Sequence, residues 1–292
     1  MKKFTLLMAT VLLYTAANAQ TDSTIVNEKR DTIRIGNIII VKKGKMPADT
    51  GRSDANIPMG RKDKTNSKVT TNWFVLDLGF ANYTDKTDYS NTGTYLVNRP
   101  GYPDLGKSDF KLRTGKSVNV NIWFVMQRLS LVKNYVNLKY GIGLELNNYR
   151  YKAPISYKEG GIIPYSGGMQ TNSPFIFRDS VSFNKNKLAA DYLTVPLLLN
   201  FTSHPYAGNK GVRISAGVSA GYLYSQRNKQ KSDAYGKHKN KGEYDMERFK
   251  LSYIAELGLG PVKLYGSYSP KSMYEHSLDI RPYTIGFRFG NL

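Results

Sequence analysis

Val136–Tyr149 reads VNLKYGIGLELNNY, and its side chains alternate in kind from one residue to the next. Val136, Leu138, Tyr140, Ile142, Leu144 and Leu146 share one face. Asn137, Lys139, Gly141, Gly143, Glu145 and Asn147 share the other. A repeat of two marks a β-strand with one apolar face. The same repeat recurs on both sides of this segment. In Trp73–Tyr83, Phe74, Leu76, Leu78 and Phe80 oppose Val75, Asp77, Gly79 and Ala81. In Ser117–Gln127, Val118, Val120, Ile122, Phe124 and Met126 oppose Asn119, Asn121, Trp123 and Val125. Toward the C-terminus come Leu188–Phe201, Val212–Tyr224, Phe249–Gly260, the short Val262–Ser269 and Pro282–Phe289. Most of these eight segments approach the roughly 9–11 residues that a tilted strand needs to cross hydrocarbon.

The connections order the strands. Residues 83–116, 150–187, 226–248 and 270–281 are long and polar, whereas 128–134, 202–211 and 260–261 are short. Strict alternation of long and short is the plan of an outer-membrane barrel, with long external loops and short periplasmic turns. The fold expected is therefore all-β: an eight-stranded antiparallel transmembrane β-barrel over 72–292, with both chain ends periplasmic. A soluble barrel would place the second face in water. That face is instead rich in Gly, Asn and Ser, which suits a narrow filled lumen.

The N-terminus supplies an address. Lys2 and Lys3 precede an apolar stretch from Phe4 to Ala17, and Ala17-Asn18-Ala19 offers a small-x-small cleavage site. This is the layout of a secretory signal peptide over 1–19. No cysteine occurs anywhere, which excludes a lipid-anchoring cysteine and a disulfide framework alike. After residue 19 no apolar run approaches the roughly 20 residues of a membrane helix, so a membrane position requires a barrel. Residues 20–71 are polar and charged and are expected to form a largely disordered periplasmic extension. Within it, the apolar patch at 32–42 forms either a hairpin turning at Gly36-Asn37 or an unpaired extended segment.

The net charge of +20 implies anionic partners. Export argues against nucleic acid and leaves outer-membrane lipids and lipopolysaccharide. The 22 tyrosines fit the aromatic girdles that line the two interfaces of such a barrel.

The run KLAADYLTVPLLL at 187–199 resembles the YLxVPLLL strand of the PorT-like outer-membrane β-barrel family. The segment DTIRIGNIIIVKKG resembles the extension that precedes the barrel in similar proteins. The resemblance implies an eight-stranded outer-membrane barrel without a catalytic motif, and some relatives are linked to protein secretion across the outer membrane. Beside it, Pro196 has a physical reading as a bulge or bend, because proline cannot donate to the ladder.

Candidate site residues follow from the face assignment. Asp77, Lys139, Glu145, Arg213, Lys250, Glu256 and Arg288 point inward, where charges must pair. An internal ion-pair network of structural role is expected, because eight strands leave room only for side chains. The loop bearing Arg227, Lys229, Lys231, Lys237, Lys239 and Lys241 either contacts lipopolysaccharide phosphates or is simply a flexible solvated loop. Gly141, Gly143, Gly217 and Gly221 lie inside strands, so they make room for bulky neighbours such as Trp123 and cradle no phosphate. His204, His238 and His276 lack metal-ligand spacing, and no catalytic group, metal or cofactor is expected. Glu275-His276-Ser277 raises a lipid-A esterase reading that lacks a placed acid and an oxyanion hole. The expected function is a monomeric interaction barrel, associated with secretion or envelope machinery. A narrow solute channel and a lipid-A-modifying enzyme are the alternatives.

Overall fold

The computed structural model describes residues 32–35, 38–41, 68–206, 211–260 and 262–290. The chain divides into two units, Met1–Arg61 and Lys62–Leu292. The signal peptide expected at 1–19 and most of the extension expected to be disordered fall outside the described residues. In the first unit, β1 (Thr32–Ile35) and β2 (Ile38–Val41) pair antiparallel, from Thr32 opposite Val41 to Ile35 opposite Ile38. Of the two alternatives for this patch, the hairpin is the one present.

The second unit begins with β3 (Val69–Asp85), followed by β4 (Leu96–Val97), β5 (Val118–Val132) and β6 (Val136–Arg150). Next come the short strands β7 (Ile155–Lys158), β8 (Gly161–Ile162), β9 (Gln170–Thr171) and β10 (Phe175–Arg178). β11 (Lys185–Thr202) and β12 (Val212–Ser232) are the longest, and β13 (Gly236–Lys241) folds back on β12. β14 (Phe249–Leu259), β15 (Val262–Tyr268) and β16 (Ile280–Phe289) complete the chain.

Eight of these close a ring in the order β3, β5, β6, β11, β12, β14, β15, β16 and back to β3, every pairing antiparallel. Closure leaves no edge, so the ladder N–H and C=O groups of the wall find their partners on neighbouring strands instead of in water. Short turns gather at one end. Between β5 and β6, Lys133 and Asn134 have φ of 42° and 62°, the left-handed pair that a tight hairpin of this twist demands. The long connections gather at the other end.

Side chains sort by face as expected over most of the ring. On β11, Val195, Leu197, Leu199 and Phe201 are exposed while Leu198 and Asn200 are buried. On β16, Tyr283, Ile285, Phe287 and Phe289 are exposed and Thr284 and Arg288 are buried. Together these outward residues form an apolar belt around the barrel.

Register shifts break the pattern in three places. β5 shifts register between Trp123 and Val125, and opposite it Phe74 sits at φ 56°. One extra residue reverses the faces. Met126, expected outward, is therefore fully buried beside Val75 and Trp123. The other shifts lie at Ser130/Val132 on β5 and at Asp191/Tyr192 on β11. Pro196 is not itself a bulge: it stays in register with Ser219 of β12, while pairing to β6 lapses between Thr194 and Leu197.

The region from 226 to 248 corrects another expectation. It is not simply a loop, because β12 continues to Ser232 and β13 pairs with it. Here the inward positions carry Asn228, Gln230 and Ser232 instead of apolar residues. Alternation of amide with lysine has no hydrophobic signature, so this strand reads as loop.

Gly143 faces Trp123 across the ladder, and a Cβ there would lie 2.7 Å from the indole and 2.5 Å from the Ile122 carbonyl. A Cβ at Gly266 would meet nothing closer than 3.4 Å. Gly143→Val is therefore expected to lower the unfolding midpoint in urea, at a cost of at least about 1–3 kcal/mol for overpacking. Gly266→Ala is expected to leave it within error. Equal midpoints for the two variants would contradict this packing.

Candidate functional site

The lumen is built by residues that alternate inward on all eight strands. Asp77 on β3 is fully buried. It accepts hydrogen bonds from Trp123 Nε1 at 2.7 Å, Asn121 Nδ2 at 3.1 Å, and Arg288 Nε and Nη2 at 2.6 and 2.8 Å. Arg288 reaches onward to Glu256, which also pairs with Lys139 and accepts from Ser215 Oγ at 3.2 Å. A second cluster pairs Lys250 with Glu145, which accepts from Asn147 Nδ2 at 3.0 Å. Asn119 links the two, donating to Asn121 at 2.9 Å and Asn147 at 2.8 Å. The structure thus brings six of the seven inward residues into ion pairs with one another. Arg213, the seventh, lines a cavity with Lys139 and Glu256.

Each charge also has neutral company. Lys250 Nζ lies 4.4 Å from the Tyr192 ring centroid, and the Arg288 guanidinium 5.6 Å from that of Trp123. Two cavities between these groups have volumes of about 20 and 30 Å³. Each holds about one water, not a solute.

Above the lumen, the four long connections fold into a cap. β10 pairs with β4 in parallel and with β7 antiparallel, tying the first two connections together. The cap core is largely tyrosine. Tyr151 and Tyr157 hydroxyls lie 2.6 Å apart, and Tyr157 and Tyr274 hydroxyls 2.9 Å apart. Tyr95 OH donates to the Tyr244 carbonyl at 2.7 Å, and Tyr244 OH to the Asn240 carbonyl at 2.9 Å. These five residues draw on all four connections. Burial pushes the Tyr151 phenol up to about 12, and Tyr157 and Tyr274 well above the ordinary phenol range. All three remain protonated at neutral pH and available as donors.

Eight tyrosines are buried among the described residues, so a girdle accounts for only part of the tyrosine content. Outward-facing Tyr222, Tyr224, Tyr253, Tyr268 and Tyr283 do lie on the belt. No periodic signal marks the cap residues, because they sit in irregular chain or in strands as short as β7.

The basic residues of 227–241 lie on the outer face of the β12–β13 hairpin. Its inner face holds the cap: Gln230 Nε2 donates to Ser156 Oγ at 2.7 Å, and Asn228 Oδ1 accepts from Tyr157 N at 3.4 Å. Arg227 pairs with Asp191 of β11. Arg150, Lys185 and Lys187 stand in the same cross-strand rows, and the sequence reading did not include them. A basic residue at every second position of 185–187 and 227–231 was the available signal.

Of the three histidines, His276 alone meets an acid by its side chain among the described residues. Its Nδ1 lies 2.9 Å from Asp245 Oδ1, and Asp245 Oδ2 accepts from the backbone N–H of His276 and Ser277 at 3.3 and 3.0 Å. The Asp245 hydrogen bond raises the His276 imidazole above its ordinary value. Glu275 completes a trio whose ligand atoms lie within 4.8 Å of one another. Both Asp245 oxygens are already engaged, so the trio acts as a clasp between two cap connections. Ser277 takes part through its backbone.

The crystal structure of Ail, the attachment invasion locus protein of Yersinia pestis, is similar over 75% of this chain and 98% of that one, at 12% identity and a TM-score of 0.30. No curated protein matches the chain. Residues 74–270, most of the barrel, match the model of the outer membrane protein beta-barrel domain, and the chain belongs to that family of outer-membrane barrels.

Proposed function

We propose that this protein is a closed, non-catalytic interaction barrel of the PorT-like kind, whose exposed cap and periplasmic extension engage envelope or secretion machinery. In this reading the long connections face outward, both chain ends are periplasmic, and the barrel is monomeric. The observation that carries it is closure at two levels. The lumen is filled by interlocked ion pairs among Asp77, Arg288, Glu256 and Lys139. Its mouth is covered by the tyrosine core of the cap. What remains for recognition is the outside: the cap surface, the hairpin and the extension.

A solute channel would need a continuous water path, and cavities of water size argue against one. A hydrolytic reading has one observation in its favour, the Asp245–His276 pair. Among the described residues no serine hydroxyl bonds that imidazole, and Glu275 Oε1 lies 4.0 Å from His276 Nε2.

Crosslinking in intact cells, followed by purification and identification of the bound proteins, is expected to recover a reproducible envelope partner. A barrel recovered alone would end the machinery reading. In planar bilayers the purified protein is expected to give no stepwise conductance; regular single-channel steps would favour the channel. Mass spectrometry of lipid A from a His276→Ala strain is expected to match that of the parent. A lost modification would point to an enzyme.

A further inference from the structure

The outer face of the hairpin is more ordered than a basic patch, because the sheet register stacks cations in rows. Lys185, Lys231 and Lys237 oppose one another across β11, β12 and β13. One step nearer the belt, Arg150, Lys187, Lys229 and Lys239 form a row across four strands. Arg227 opposes Lys241 in the next. Like charges directly opposite each other destabilise a sheet, so three consecutive rows of them need an external counter-charge.

The protein supplies little of it. Arg227 has Asp191, while among the described residues the side chains of Lys187 and Arg150 bond to Asn148 and to the Asn184 carbonyl. Lys185, Lys229, Lys231, Lys237, Lys239 and Lys241 meet no carboxylate among the described residues. The rim on the β14–β16 side differs: there Arg248 has Glu243, Lys271 has Glu247 and Arg281 has Asp279. The stacked rows therefore lack the carboxylate partners that these three rim cations have.

The height of the rows identifies the missing anion. Below them on the same outer face are the exposed rings of Tyr222, Tyr224 and Phe249, with Tyr222 and Phe249 centroids 5.3 Å apart. Aromatic side chains of this kind mark the edge of the hydrocarbon. Arg227 follows Tyr224 by three residues, about 10 Å along a strand. The rows thus begin at headgroup depth, where lysine stems can lie along the lipid and the ammonium groups reach phosphate.

We propose that the β6–β11–β12–β13 face binds the phosphate groups of phosphorylated glycolipid headgroups, lipid A in form, and so holds one sector of the barrel against that lipid. The occupant's location in the outer leaflet rests on the outward orientation of the long connections proposed above; the binding itself does not.

The full-length protein in neutral detergent micelles provides the test. Its thermal unfolding and its binding are followed with bisphosphorylated lipid A, with dephosphorylated lipid A and with inorganic phosphate. Bisphosphorylated lipid A is expected to bind at least tenfold more tightly than the dephosphorylated form, and to raise the unfolding temperature. Inorganic phosphate at matched concentration is expected to do neither; equal stabilisation by phosphate would mean a free-anion site and overturn the lipid assignment. Lys229→Gln, Lys231→Gln and Lys239→Gln together are expected to lose at least tenfold in lipid A affinity. Without lipid the triple variant is expected to be at least as stable as the parent, since like-charge repulsion is relieved. Unchanged lipid A affinity in that variant, with the fold retained, would refute the proposal. Labelling of a cysteine placed at Tyr235 in intact cells reads the orientation separately, so a failure there removes the outer leaflet without removing the site.

Discussion

A strand in hydrocarbon has no water to satisfy its backbone, and the eight-stranded ring meets that requirement only by closing on itself. Closure at eight strands fixes the rest. The interior becomes narrow enough for side chains to fill and too polar, by alternation, to fill with aliphatic groups. Charges placed there must meet opposite charges or cost several kcal/mol each. Asp77 illustrates the solution, with four donors on two oxygens. The network is thus the counterpart of the lipid-facing belt: one set of alternate positions satisfies the bilayer, and the other satisfies itself.

This dependence explains which features were legible in the sequence. Strands such as Val136–Arg150 alternate apolar with small or polar residues, so both the wall and the inward placement of Lys139 and Glu145 follow from a repeat of two. The order of long and short connections then gives the antiparallel ring. The pairing of particular charges did not follow, because partners such as Lys139 and Glu256 are 117 residues apart. Only closure of the ring brings them together.

Elsewhere the pattern hid the structure for identifiable reasons. The bulge at Trp123/Val125 changes the phase of β5, which is why Met126 turns inward against the alternation. Asn228 and Gln230 face the cap by hydrogen bonds instead of apolar contact, so the end of β12 has no hydrophobic period. Cap tyrosines such as Tyr95, Tyr157 and Tyr274 come from connections far apart in the chain, and their meeting depends on tertiary packing alone. The cap turns what reads as four independent loops into a second core, which bears on function: a packed cover presents a fixed surface.

The central claim is that the lumen charges hold the ring together as one interlocked unit. A double-mutant cycle on Lys139 and Glu256, read as unfolding free energy in urea after reconstitution into vesicles, tests it most directly. Glu256→Gln, which strips Lys139 of its carboxylate, is expected to cost about 3 kcal/mol; Lys139→Met, after which Glu256 keeps Arg288, is expected to cost less, and the double variant clearly less than the sum of the two. Single costs near zero, or full additivity in the double variant, would contradict an interlocked lumen.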